Sequence, residues 1–140
     1  HYHIVFATKG RIPCIEQNWR SRLWDYIGGT VRGLGGVPHG VGGWNDHVHL
    51  LIDLRPTHVL SDVVREIKKA STAWVRDEIG TRTFQWQEGF GAFTVGHRER
   101  DVIRKYIAQQ EQHHGTKGSQ EEFLDLLQEA GVEFDPKFLT

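Results

Sequence analysis

The chain has no methionine, one cysteine and four prolines in 140 residues. The lone Cys14 has no partner within the chain. This fits a reducing compartment, so a cytoplasmic setting is expected, and the residue reads as a small buried side chain rather than a nucleophile. Because the sequence opens on His1 without a methionine, a few residues are expected to precede it. The longest apolar runs are only a few residues, far short of the roughly 20 a membrane span needs, and the reading expects neither a signal peptide nor a membrane partner. Neither G-x-G-x-x-G nor a P-loop occurs, which excludes the usual nucleotide-phosphate cradles. Net charge is also small, at −1, but it is unevenly spread. Residues 120–140 hold six acidic groups against Lys137, leaving 16 basic against 12 acidic groups before them. A mildly basic body with an acidic tail is compatible with a polyanionic ligand.

At this length one domain is expected, covering 1–140, with a core over 1–115 and an acidic helix and tail over 116–140. Tyr2–Thr8 is β-branched and aromatic and reads as a strand. From Ile15 to Leu34, Trp19, Leu23, Ile27 and Val31 recur every four residues and predict a helix ended by Gly33, Gly35 and Gly36. That spacing favours core over a base-stacking platform for Trp19 and Trp24. Gly36–Trp44 reads as a weak strand, and Asp46–Leu54 returns antiparallel to it until Pro56. A second helix is expected over His58–Ile79, with Gly80 as its stop. Phe84–Val95 reads as a strand region bent at Gly89 and Gly91. Arg98–His114 reads as a third helix, and Ser119 with Glu122 forms a capping box for a fourth through Glu129. The first six elements match an α+β, ferredoxin-like split βαβ arrangement, an antiparallel sheet with helices on one face plus added C-terminal helices.

Two stretches carry chemistry. In Asp46-His47-Val48-His49-Leu50-Leu51-Ile52 the strand period places His47 and His49 on one face, where two imidazoles can hold one metal ion. Taken alone, the pair reads more readily as half-buried strand histidines with hydrogen-bond partners. On the third helix Tyr106 and Gln110 are four apart and share a face, displaying a hydroxyl and an amide oxygen together. The alternative is that Tyr106 anchors its helix to the sheet and Gln110 is an ordinary surface residue. Arg65, Lys68 and Lys69 form a basic run on the second helix, either a solvated face or a phosphate path.

The ordered set Tyr2-His3-Ile4-Val5-Phe6-Ala7-Thr8-Lys9, Asp46-His47-Val48-His49, Ile67-Lys68, Trp86-Gln87-Glu88-Gly89-Phe90 and Tyr106-Ile107-Ala108-Gln109-Gln110 resembles the single-tyrosine HUH transposases of small bacterial and archaeal insertion sequences and their REP-associated relatives. The resemblance implies cleavage and rejoining of single-stranded DNA at hairpin-bearing ends through a 5′-phosphotyrosine. It implies Tyr106 as nucleophile, with His47, His49 and Gln110 as ligands of Mg²⁺ or Mn²⁺. Arg65, Lys68, Lys69, Arg104 and Lys105 are the expected DNA contacts. It further implies a homodimer in which the tyrosine helix of one subunit serves the histidines of the other. A non-cleaving hairpin-binding protein and a metal-dependent phosphodiester hydrolase are the alternatives. The glycine-loaded Gly35–Gly43 stretch departs from the family pattern.

Overall fold

The computed structural model describes residues 1–109. Seven regular elements follow one another: β1 (Tyr2–Ala7), α1 (Gln17–Gly33), β2 (Val37–Gly43), β3 (His47–Asp53), α2 (Leu60–Trp74), β4 (Gly91–Thr94) and α3 (His97–Ala108). All strand pairs are antiparallel, in the order β2-β3-β1-β4. This is the ferredoxin-like layout expected from the sequence, with the histidine strand central. The fourth helix, the acidic tail and the 115/116 boundary lie outside the described residues.

Every residue of β3 from His47 to Ile52 is buried, because the strand is covered on both faces. One face presents Val48, Leu50 and Ile52, joined by Ile4 and Phe6 of β1. Against it pack the stripe Trp19, Leu23, Ile27 and Val31 of α1 and Val63, Val64 and Ile67 of α2. Trp19 thus belongs to the core, Trp24 packs against its margin, and Trp44 lies over the guanidinium of Arg20 at 4.6 Å. The other face presents Leu51, which with Val95 meets Ile103 and Ile107 of α3. Helices therefore cover both faces of the sheet, where the sequence suggested one.

Two elements differ from expectation. The helix expected to reach Ile79 is α-helical to Trp74 and finishes as a π turn, Val75–Ile79. The expected strand Phe84–Val95 is regular only over Gly91–Thr94. Residues 85–87 still reach the end of β1, through Lys9 N–H to Gln85 O (3.0 Å) and Gln87 N–H to Ala7 O (2.8 Å). Pairing breaks where Gly89 takes φ +83°, the bend suggested by the glycines. Trp86 fixes this irregular segment from below, edge-on to Phe6 and Phe84 and donating Nε1–H to Ser71 Oγ at 2.9 Å.

The glycines of β2 have a tertiary cause. A Cβ on Gly42 would stand 2.5 Å from the carbonyl oxygen of Ile107 and 2.9 Å from its Cγ2, and one on Gly40 would touch Arg104 Cγ at 3.5 Å. The bare backbone of β2 is the bed on which α3 lies. Gly42→Ala is expected to lift α3 and cost about 1–3 kcal/mol in urea denaturation; unchanged stability would show that α3 does not rest there.

Candidate active site

β3 places His47 and His49 two residues apart on the α3 face, with their rings edge-on at 5.0 Å. Both are essentially buried. Each ring is oriented through Nδ1. His47 Nδ1 donates to Asp46 Oδ1 at 2.7 Å. Asp46 in turn holds Arg11 Nε at 3.4 Å. Burial alone would push the Asp46 carboxyl up, but the hydrogen bond and charge of His47, together with Arg11, hold it below the ordinary carboxylate value. His49 Nδ1 lies 2.9 Å from Nε2 of His3, with the two rings stacked at 5.2 Å.

This arrangement fits a metal pair. A histidine that ligates through one ring nitrogen characteristically donates its other N–H to a carboxylate or another acceptor, which sets tautomer and ring angle. With Nδ1 engaged in both residues, an ion held by the pair would bind Nε2. His3 suits the acceptor role because burial drives its pKa down from 6.5 to about 4, keeping it neutral. His3 and Asp46 are the functional residues that the sequence reading did not assign a role. The signal for His3 was available, since strand alternation puts it on the same face of β1 as Val5, which stands opposite His49.

α3 brings Tyr106 to this pair. Its ring meets His49 edge-on at 5.8 Å, and its hydroxyl oxygen is buried. The tyrosine of this chain thus reaches the histidines of the same chain, whereas the resemblance implied supply from a partner. Gln110 lies outside the described residues.

The five expected DNA-contacting cations do not form one surface. Arg104 and Lys105 are exposed on α3, just before Tyr106, and Arg104 pairs with Asp101 at 3.3 Å. Arg65, Lys68 and Lys69 sit on α2, across the sheet from the histidines. There they line a cleft of about 990 Å³ between α2 and residues 85–90, together with Lys9, Arg76 and Phe90. Arg65 is paired within its own helix to Asp62 at 3.3 Å. Lys68 is half-buried over the Phe6 ring and donates to the carbonyls of Gln87 (2.8 Å) and Gly89 (2.7 Å). Its ammonium therefore ties down the irregular segment, and burial lowers its pKa. Cys14 is half-buried with its thiol pKa raised by burial, as expected of a residue that is not a nucleophile.

The depressed pKa of His3 has a measurable consequence. Between pH 6.5 and 4 the unfolded chain takes up a proton at His3 that the folded chain does not, so stability falls as pH drops through this window. The loss attributable to His3 is up to about 3 kcal/mol. Urea denaturation at pH 4–7 is expected to show a shallower decline in His3→Asn than in the wild type; an identical slope would contradict neutral burial.

The family profile described as transposase IS200 like matches residues 1–110. Among curated proteins no relative matches. A Deinococcus radiodurans crystal structure, assigned as a transposase, is similar to the chain at 26% identity and a TM-score of 0.64, covering 78% of this chain and 88% of that one. A REP-associated tyrosine transposase bound to a REP hairpin has the same fold at 19% identity and a TM-score of 0.62, covering 81% of this chain and 67% of that one. No described helix is long and apolar enough to cross a membrane. The profile match spans β1 through α3, the elements that bring the histidine pair and Tyr106 together, and the chain belongs to the IS200-like transposase family.

Proposed function

We propose that this transposase cleaves and rejoins single-stranded DNA beside a hairpin, using Tyr106 as nucleophile. The observation that carries the reading is the edge-on placement of Tyr106 against His49, whose ring is itself oriented by His3. A structural neighbour bound to a REP hairpin supports the class of substrate. His47 and His49, with Gln110 as the third ligand, would hold a divalent ion, Mg²⁺ or Mn²⁺, which would supply Lewis-acid neutralisation of phosphate charge.

The chain's own residues do the rest. Tyr106 Oη attacks the scissile phosphorus and the P–O3′ bond breaks, leaving a 5′-phosphotyrosine and a 3′-hydroxyl. The phenolic proton is lost as the bond forms, and the departing 3′ oxygen takes one up. An unperturbed tyrosine has a pKa of about 10 and is a weak nucleophile, so it needs positioning and nearby positive charge. α3 packs Tyr106 onto the sheet beside Ile103 and Ile107, and this positioning raises its effective concentration at the phosphate. The phosphotyrosine retains the energy of the phosphodiester, so attack by a 3′-hydroxyl reseals the strand without ATP. A water nucleophile would lose that energy.

On this reading His47, His49 and Tyr106 of one chain form one site. Two copies of the chain can still pair on a DNA with two ends, each working with its own tyrosine. Arg104 and Lys105, on the same layer as the site, are the DNA contacts nearest the scissile phosphate. Arg65 and Lys69 offer a second basic surface for the hairpin stem, and Lys68 contributes by shaping that cleft.

Incubating the chain with a labelled single-stranded hairpin and Mn²⁺ is expected to give a covalent protein–DNA band on a denaturing gel. Tyr106→Phe is expected to lose that band and to reduce cleavage by at least about a thousandfold. Persistent cleavage by Tyr106→Phe would instead indicate hydrolysis by water, and binding without any band in the wild type would indicate a hairpin-binding protein. Asp46→Ala is expected to weaken metal affinity about 10–100-fold while hairpin binding persists; unaltered metal affinity by calorimetry would remove Asp46 from the account.

A further inference from the structure

At the opposite end of the histidine face, three strands bring a second set of donors together. Asp53 closes β3, four residues beyond His49, or about 13 Å at a strand rise of about 3.3 Å per residue. His1 precedes the pair Tyr2–Ile52 and so falls beside Asp53 across the β1–β3 ladder. His39 arrives from β2, where the register steps from Pro38 opposite Ile52 to Gly40 opposite Leu51. It is the extra residue of a β-bulge, a device that re-aims a side chain. His1 Nδ1 contacts Asp53 Oδ1, and His39 Nε2 lies 2.7 Å from Asp53 Oδ2. The two imidazoles stand edge-on at 5.2 Å.

We propose that His1, His39 and Asp53 form a second metal site, of the kind zinc takes, separate from the His47–His49 pair. One donor atom from each residue lies within 4.8 Å of the others. From that spread, side-chain rotation can gather the three donors on an ion with bonds of about 2.0–2.1 Å to nitrogen and oxygen. Two borderline imidazole ligands beside one hard carboxylate favour Zn²⁺ over Mg²⁺. Asp53 is about one-third exposed while His1 is nearly covered, so solvent reaches one side of the cluster and can complete a four-coordinate shell.

The placement gives the site a use. β2 is an edge strand with Gly40, Gly42 and Gly43, poor in side-chain packing of its own, yet α3 lies against it. An ion joining β2 to the ends of β1 and β3 pins this strand beside Gly40, where Arg104 of the tyrosine helix touches down. The second site thus sets the height of the bed for Tyr106 and takes no part in the chemistry.

The test uses the full untagged chain, stripped with chelator and dialysed against Zn²⁺, with bound metal counted directly. His47→Ala/His49→Ala is expected to retain zinc and to melt at a higher temperature with zinc than without. Adding His39→Asn to that chain is expected to remove one equivalent and abolish the shift. His1→Ala, a change at the edge of the fold, is expected to remove the same equivalent. The proposal is overturned if the His47→Ala/His49→Ala chain binds no zinc, or if neither His39→Asn nor His1→Ala lowers its stoichiometry. Neither readout involves DNA, so the result is independent of strand transfer.

Discussion

The contact between the backbone of α3 and the glycine strand β2 is the constraint on which the rest of the site depends. A helix must approach a sheet closely if its tyrosine is to meet histidines rooted in a central strand, and any side chain beneath it sets the separation. Gly42 permits an approach in which even one methyl group would collide with the carbonyl of Ile107. Ile103 and Ile107 then bury themselves against Leu51 and Val95, and Tyr106 is carried onto His49. The seat is small in apolar area compared with the core on the other face, so its geometry rests on close approach more than on bulk burial.

The histidines need a comparable degree of control, which comes from different physics. A buried imidazole with two possible tautomers presents either a lone pair or a proton to whatever occupies the site. Asp46 resolves that choice for His47, and His3, kept neutral by burial, can accept from Nδ1 of His49. Both partners lie close in the local structure: Asp46 is the preceding residue, and His3 comes from the neighbouring strand, two residues from Val5, which stands directly opposite His49. Arg11 restrains Asp46 in turn. Preorganisation here therefore extends from β1 through β3 to α3, while the large core between the sheet and α1 and α2 keeps those elements in place.

Much of this order was legible before any coordinates. Apolar spacing located α1 and α2 within a few residues, and the β-branched and apolar run of β3 located the central strand. The ordered motifs identified the family, because His47, His49 and Tyr106 occur with the right neighbours in the right sequence. What was not legible depends on contacts between distant residues. β2 looked weak because its glycines answer to α3, which enters about 65 residues later. The strand expected over Phe84–Val95 was too long because Lys68 and Trp86 hold an irregular segment in place of ladder bonds. Lys68 itself read as a surface cation, since nothing in its own helix announces that two carbonyls fold over it. The bulge that turns His39 toward Asp53 was equally hidden, a one-residue step in register that spacing alone does not reveal.

The central claim is that the tyrosine and the histidines that act together belong to one chain. Mixing Tyr106→Phe protein with His47→Ala/His49→Ala protein and assaying covalent attachment to a hairpin substrate tests it most directly. Each half-site is then intact only across chains. The account predicts that the mixture stays as inactive as either variant alone; recovery of a substantial fraction of wild-type attachment would contradict it and show that α3 leaves its glycine bed to serve a partner.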